Sequence, residues 1–250
     1  MSSLPEILNN FSPITLAEME NVELMNRKDM KYFFDRNKLP EILEQMSADY
    51  KVLDINGTRL FNYRNIYFDT KDFFFFSQHH NKRVNRYKIR IKQYVESNIK
   101  FLEVKYKTNT KRTLKSRIKI PEFTEVFSDK AKEFILQHTP FNPEDLVPTL
   151  RNDFKRFTLV SKKLNERATI DTDLELEVPG NKRHFSNLCI AELKIDGSSS
   201  GSKFKVVMRD NLCPEVRISK YSVGAAFMYD ELKQNNFKFK KLQINRIENA

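Results

Sequence analysis

The sequence is poor in cysteine and has no tryptophan at all. Its two cysteines, Cys189 and Cys213, fit neither a disulfide framework nor the paired spacing of a metal knuckle. Disulfide-stapled secreted domains and zinc knuckles are therefore excluded as explanations of the fold. We predict a reducing, cytoplasmic compartment and inert core thiols.

Glycine and long apolar runs are also scarce. The chain has five glycines and no GxxxxGK[ST] motif, which argues against a glycine-rich nucleotide-binding fold. It has no apolar run long enough to span a bilayer, and its start, MSSLPEILNNFSP, lacks a basic stretch followed by an apolar one. We expect neither secretion nor a membrane span, so any membrane association would require a membrane-protein partner.

What the sequence does have is positive charge. Lys and Arg number 44 against 33 Asp and Glu, a net charge of +11 that favours nucleic acid, phosphorylated metabolites or an acidic membrane surface as partner. The hydrophobic fraction of 40% is enough to fill a core. We predict a single domain over residues 1–250, with its core at about 25–225 and a peripheral N-terminal helix and basic C-terminal tail.

Hydrophobic periodicity predicts an α+β fold. Helical spacing occurs at 15–25, 37–48, 128–138 and 221–234. Alternation of apolar and polar residues predicts strands near 59–69, 85–95, 99–107, 115–120, 154–162, 167–178 and 189–196. The run Phe73–Phe76 predicts a core or edge strand, GSSSGS at 197–202 predicts a turn or a helix start, and the tail 237–250 is expected to be partly disordered.

The predicted strands are charged on one face and apolar on the other. In NRYKIRIKQY at 85–94, Lys88, Arg90 and Lys92 share one face, about 6.6 Å apart, while Ile89 and Ile91 share the other. The same alternation recurs in FLEVKYK, KSRIKI, RATIDTDLELEV and IAELKID.

Two interpretations of these faces remain open. One is an antiparallel sheet with a solvated outer face. The other is a closed barrel with its charged faces inside and the helices at 37–48, 128–138 and 221–234 outside. Unpaired buried charges cost several kcal/mol each, so a charged interior would require water or a multiply charged ligand.

A series of short motifs carries a resemblance to a known family. In chain order they are RKDMKY at 27–32, IYFDT at 66–70, YKIRIKQY at 87–94, FLEVKYK at 101–107, KSR at 115–117, LRNDF at 150–154, ERATID at 166–171, AELKID at 191–196 and RISKYSVG at 217–224. Over about residues 25–225 the chain resembles the VTC-domain polyphosphate polymerases, a branch of the CYTH or triphosphate tunnel metalloenzyme superfamily. The resemblance implies a closed antiparallel β-barrel tunnel of about eight strands with packing helices outside, and a first strand that begins near Arg27.

The resemblance also implies roles for individual residues. The implied catalytic residues are Arg90, Lys92, Lys105, Arg151 and Arg167. The implied phosphate-binding residues are Lys31, Lys115, Arg217 and Lys220. Glu192 is the implied ligand of Mn²⁺ or Mg²⁺, and Glu103 is either a second metal-side carboxylate or an ion-pair partner of Lys105.

The chain departs from the wider superfamily at two places. Lys92 stands where Arg is usual, which weakens bidentate phosphate recognition. The run from Arg27 to Lys31 replaces a Glu-x-Glu-x-Lys signature, which counts against thiamine triphosphatase or adenylate cyclase activity.

The expected function is metal-dependent transfer of a phosphoryl group from ATP to inorganic polyphosphate, with no nucleic-acid partner. A tripolyphosphatase or nucleoside triphosphatase is the first alternative, with Glu103 or Asp171 as base, although Asp171 is better explained by pairing with an Arg or Lys. A non-catalytic polyphosphate or nucleotide sensor is the second. Nucleic-acid binding rests on net charge and aromatic content alone. The oligomeric state is left open.

Overall fold

The computed structural model describes residues 3–20, 27–110, 112–163, 165–196 and 201–250. Its helices are α1 (Leu4–Asn9), α2 (Leu16–Glu20), α3 (Leu39–Met46), α4 (Phe74–His80), α5 (Asp129–His138), α6 (Lys203–Asp210), α7 (Lys220–Met228) and α8 (Lys238–Glu248). Its strands are β1 (Ser12–Ile14), β2 (Arg27–Asp35), β3 (Tyr50–Leu53), β4 (Phe61–Thr70), β5 (Arg86–Tyr94), β6 (Ile99–Lys107), β7 (Thr113–Ile120), β8 (Leu146–Ser161), β9 (Glu166–Val178), β10 (Asn181–Phe185) and β11 (Leu188–Asp196).

Most predicted strands are present within a few residues of their predicted ends. The first strand, which the resemblance implied and the alternation did not reveal, is β2. β8 begins earlier than predicted, at Leu146, and includes Pro148. Of the predicted helix at 15–25, α2 is described and residues 21–26 lie outside the described residues. Residues 197–200 of GSSSGS also lie outside them, and α6 follows at Lys203.

The strands form one sheet, which confirms the α+β prediction. The order is β2-β11-β9-β8-β4-β5-β6-β7, antiparallel throughout, with β10 on β9, β3 on β8, and β1 parallel to β3. A closed barrel is not confirmed, because within the described ranges β2 and β7 end this path without pairing with each other.

The sheet is nevertheless curled, so that distant strands approach each other across one face. Lys31 Nζ on β2 donates to Ile218 O at 3.4 Å, and Lys88 Nζ on β5 donates to Ser219 Oγ at 2.7 Å, so side chains from these two strands reach consecutive residues. Arg90 lowers the pKa of Lys105 on β6, and Glu192 on β11 opposes this lowering. Since these pairs are far apart in strand order, their faces must look toward one another. We call this side of the sheet the concave face.

The other, convex face is covered by helices, as predicted for 37–48 and 128–138. Ile42, Leu43 and Met46 of α3 pack with α1 and α6 over the outer side of β8, β9 and β11. α5, whose N-cap is Ser128, packs over Ile89 and Ile91 of β5. Ile89 and Ile91, on the apolar face of the predicted strand at 85–95, are therefore core residues.

The predicted helix at 221–234 differs from prediction in length and in place. α7 ends at Met228 and lies against the concave face, where Tyr221 stacks on Tyr67 with ring centroids 5.1 Å apart. A Cβ on Gly224 would lie 2.8 Å from the Leu150 side chain, so helix and sheet are in close contact. A helix that is apolar on every side needs burial on every side, which the outside of the sheet could not give.

Two more segments differ from prediction. The tail expected to be partly disordered is helix α8, whose Ile244 is buried and whose Glu248 accepts from the N–H groups of Ser186 and Asn187. The phenylalanine run is mostly helix α4, because the buried Asp69 carboxylate accepts the N–H groups of its first turn. None of the described helices is both long and apolar enough to cross a membrane.

A cation-rich candidate active site

Two rows of charged residues cross β5, β6 and β7 on the concave face. Lys88, Lys105 and Lys115 are directly opposed in one row, and the next row contains Arg90 and Glu103. Opposed residues share a face of the sheet, and like charges in that position repel each other. The lysine row therefore disfavours the empty site and favours a bound anion.

Glu103 is held by two of these cations. Its carboxylate, 0% exposed, accepts from Arg90 Nε at 2.8 Å and Nη2 at 2.6 Å, and Lys115 Nζ lies 2.6 Å from its other oxygen. Burial raises the pKa of Glu103, but the charges of Arg90 and Lys115 outweigh burial and hold that pKa well below its usual range. The structure thus supports the ion-pair alternative for Glu103, with Arg90 and Lys115 rather than Lys105 as its contacts.

Asp171 on β9 has the same kind of environment. It is 3% exposed, accepts from Arg156 Nη2 at 2.8 Å, and also accepts from the ammonium of Lys220 at the start of α7. Burial raises its pKa, but Arg156 and Lys220 lower it to a net value below the usual one. Asp171 therefore pairs with neighbouring cations, as the sequence favoured.

Glu192 is the third carboxylate of the concave face. It lies opposite Lys31 of β2 and Thr169 of β9 in the strand register. Lys194 donates to it, and Lys31 Nζ lies 3.7 Å away. Burial raises the pKa of Glu192, whereas Lys194 and Lys31 hold it well below its usual range.

Several lysines of the site have lowered pKa values, which favour their neutral form. Arg90 and burial lower the pKa of Lys105 to about 7. Burial and neighbouring cations lower the pKa values of Lys88 and Lys92 well below the usual range. Lys88 Nζ donates to Ser219 Oγ at 2.7 Å, and Lys92 Nζ donates to Tyr94 Oη at 2.9 Å. Cations are in excess here, and a polyanion would relieve their mutual repulsion.

Most residues implied by the resemblance lie on this face. The structure brings together Lys31, Arg90, Lys92, Lys105, Lys115, Lys220, Glu103 and Glu192, and the strand register places Arg167 opposite Lys194 on the same face. It does not bring Arg151 there, because Arg151 is opposed to the core residue Ile66 and pairs with Glu125 at 2.8 Å. Arg217 is exposed on the segment before α7.

Arg156 holds the place on β8 that was expected for Arg151, and the sequence reasoning missed it. The register shift opposite Asp153 and Lys155 comes from an extra residue in β9, so β8 itself keeps its alternation. Arg151 therefore shares the convex face with Phe157, and Arg156 lies on the other face. Counting back from Leu159 and Phe157, both convex-core residues, would have placed Arg156 on the charged face.

The residues fit a divalent cation only if phosphate completes its shell. In the described part of the chain no three acidic, histidine or cysteine side chains are grouped as a metal site. Glu192 retains 26% exposure of its side chain, and Mg²⁺ is commonly bound by one or two carboxylates together with substrate phosphates and water. A cation held by Glu192 and phosphate oxygens is compatible with this arrangement, whereas Glu103 is already engaged by Arg90 and Lys115.

Comparison with solved structures finds several distant likenesses. The PH1819 protein from Pyrococcus horikoshii OT3 is 16% identical, with a TM-score of 0.47 over 81% of this chain and 98% of that one. HpAC1 from Hippeastrum, a proposed adenylyl cyclase with a dominant triphosphatase activity, is 13% identical, with a TM-score of 0.48 over 81% of this chain and 96% of that one. Similarity at this level does not indicate which reaction, if any, this chain catalyses. No curated protein matches the sequence.

A family model gives the decisive comparison. The model of the VTC domain matches residues 26–229, which include every strand of the main sheet path and α7. This range agrees with the extent of the ordered motifs that carried the resemblance. The chain therefore belongs to the VTC-domain family.

Proposed function

We propose that this protein is a polyphosphate polymerase, which transfers the γ-phosphoryl group of ATP to the end of an inorganic polyphosphate chain on the concave face. Curling of the sheet into a tunnel around the phosphates is part of the proposal. The observation that carries it is the state of the three carboxylates: Glu103, Asp171 and Glu192 each contact two cations and each have a lowered pKa.

That state favours transfer over hydrolysis. A hydrolase requires a base to activate water, and a carboxylate with a lowered pKa that is already engaged by Arg or Lys is a poor base. The terminal oxygen of polyphosphate is already anionic, so its attack requires positioning and charge stabilisation instead. The surplus lysines and arginines supply both.

The proposed reaction is a single in-line displacement. The terminal polyphosphate oxygen forms a bond to the γ-phosphorus, the bond from that phosphorus to the β–γ bridging oxygen breaks, and ADP leaves with the electron pair. Arg90 and Arg156 each present a guanidinium held by a carboxylate, so they bind phosphate oxygens without reorganising. Lys88 and Lys105 become fully charged as phosphate approaches. A bound Mg²⁺ or Mn²⁺ at Glu192 would neutralise part of the phosphate charge.

The test is incubation with ATP and Mn²⁺, with and without short polyphosphate, followed by gel analysis of the products. We expect long polyphosphate chains together with ADP. Release of free phosphate without long chains would contradict the polymerase proposal and indicate a triphosphatase. Lys105→Gln is expected to lower the rate at least about tenfold, since it removes a charge that acts on the transferred group. Lys130→Gln, on the exposed side of α5, is the matched control.

A sensor is the remaining alternative, and the same assay separates it. A sensor would bind tripolyphosphate with no turnover by the wild-type protein, and Glu192→Ala would leave binding intact. The polymerase proposal expects turnover by the wild type and its loss in Glu192→Ala.

A further inference from the structure

Three segments of the sequence contain no acidic residue: 73–95, 104–121 and 232–247. The fold brings parts of all three together. β5 of the first segment pairs with β6, which ends in the second. Asn236 of the third donates its side-chain amide to His80 O of the first at 2.8 Å. These three segments therefore contribute Lys and Arg, but no Asp or Glu, to the side of the molecule that they form together.

On this side the concave face continues past the half-buried Lys88 and Lys105. Arg86 and Lys107 are directly opposed on β5 and β6, two residues beyond Lys88 and Lys105. Residues two apart on a strand share a face, so this pair extends the charged surface by about 6.6 Å. Lys107 is exposed, and Arg86 Nη1 donates to Arg83 O at 2.9 Å, which holds the guanidinium at the turn before β5.

α8 brings further positive charge to the same place. Phe237, just before α8, packs against the rings of His79 and His80, with centroids 6.1 and 5.6 Å apart. Lys240 Nζ lies 5.7 Å from the centre of the Phe237 ring. Burial lowers the pKa of Lys240, and the charge of Lys82 lowers it further. Burial together with Lys88, Arg86, Lys240 and Lys107 lowers the pKa of His79 to about 2.

We propose that Lys82, Arg86, Lys107 and Lys240, here called the basic track, bind the part of an inorganic polyphosphate chain that extends beyond the concave face. This inference rests on the proposed function and adds a site to it. The ligand is inferred from the arrangement of the charges. The cations form a continuous row from Lys88 and Lys105 to the exposed Lys107, and a linear polyanion can bind along such a row.

The proposal is tested by binding rather than turnover. The double variant Lys82→Gln with Lys240→Gln is compared with Lys130→Gln and Lys163→Gln, which removes the same charge from exposed positions on α5 and after β8. Each protein is titrated with tripolyphosphate and with long-chain polyphosphate. We expect the track variant to bind the long chain roughly 3- to 10-fold more weakly than the control variant, with a salt slope reduced by about 1.5, while tripolyphosphate affinity stays within about twofold.

Three outcomes would overturn the proposal. The track variant could bind long chains as tightly as the control, or it could lose tripolyphosphate affinity by the same factor. Phe239 and Leu242 are exposed on α8, so an anionic lipid surface is the competing ligand. Loss of binding to phosphatidylserine vesicles with unchanged long-chain affinity would assign the surface to lipid instead. A failed polymerase assay, in contrast, would contradict the proposed reaction but not the binding differences expected here.

Discussion

Glu103 is a buried carboxylate on which the stability of the empty site depends. It is fully buried and compensates the charges of both Arg90 and Lys115. Removing one partner of a buried ion pair leaves the other charge uncompensated, which costs more than the pair itself contributes.

We expect Glu103→Gln to lower the free energy of unfolding by about 2–3 kcal/mol, below the full buried-pair figure because Lys115 is partly exposed. Urea denaturation without ligand measures it. Tripolyphosphate should recover part of the loss, since phosphate oxygens replace the missing charge. The control is Glu125→Gln, which breaks an exposed pair with Arg151 and should cost less than about 1 kcal/mol. Equal losses in the two variants would contradict this role for Glu103.

Lys105 gives a pH dependence whose sign can be worked out. Its pKa is about 7 in the folded protein, against the ordinary lysine value of 10.5 in the unfolded chain, so between these pH values the unfolded chain holds a proton that the folded chain lacks. The free energy of unfolding attributable to Lys105 therefore rises as the pH increases from about 7 to about 10. We expect bound phosphate to oppose the effect of Arg90 and to raise the pKa of Lys105.

We expect tripolyphosphate binding at pH 8 to take up about one proton through Lys105. Titration calorimetry in buffers of different ionisation enthalpy measures the number of protons. Lys105→Met should reduce the uptake by about one, whereas Lys130→Met should leave it unchanged. Unaltered uptake in Lys105→Met would mean that Lys105 is already charged in the free protein.

At the scale of secondary structure, α7 separates two functions of the concave face. Its first turn carries Lys220 into the charged site, while the rest of the helix fills the space beside it with apolar side chains. Gly224 permits this close packing, because any side chain there meets Leu150 and Leu176.

We expect Gly224→Val to destabilise the protein by about 1–3 kcal/mol through overpacking, and to weaken tripolyphosphate binding as α7 moves. Chemical denaturation and calorimetric titration measure the two effects. Leu136→Val on the exposed side of α5 serves as control and should change stability by less than about 0.5 kcal/mol. A stable Gly224→Val variant would show that α7 packs more loosely than the structure indicates.

α8 shows what the sequence pattern could not reveal. Its basic composition predicted a partly disordered end, yet Ile244 is 1% exposed and packs in the same core as α7.

We expect Ile244→Ala to lower the free energy of unfolding by about 2–4 kcal/mol, and Leu242→Ala, at a position 50% exposed, by less than about 1 kcal/mol. Thermal and urea denaturation test both. Similar small effects at the two positions would mean that α8 is frayed in solution.

The strands were predictable because one of their faces is apolar and the other charged. β5, β6 and β7 follow that alternation, and their boundaries agree closely with it. The alternation fails where the chain is irregular: an extra residue in β9 puts Leu174 on the same face as Asp171. Nor does it contain information on what covers a face, so α7 was expected on the wrong side. These features depend on contacts between residues far apart in sequence.

At the scale of the whole molecule, the curl of the sheet makes one prediction about its two ends. Lys31 lies on the edge strand β2 and Lys115 on the edge strand β7, at opposite ends of the strand order. If Lys31 and Lys115 bind the same polyanion, the ligand connects β2 and β7, which are not hydrogen-bonded to each other in the described residues. An edge strand has a strand partner on one side alone, so it exchanges its amide hydrogens faster than an inner strand when nothing is bound. The outer side of β2 is bridged at Lys31 and Tyr32 by the segment at Glu215 and Val216.

We expect tripolyphosphate to slow amide exchange in β2 and β7 together, because one ligand restrains both edges of the curled sheet. Hydrogen exchange with mass spectrometry measures this for peptides covering 27–35 and 113–120. Lys115→Gln should remove most of the protection of β7 and leave most of that of β2, while Lys130→Gln should change neither. Protection of one edge alone in the wild type would mean that the phosphates contact one side of an open sheet, and the tunnel proposal would fail.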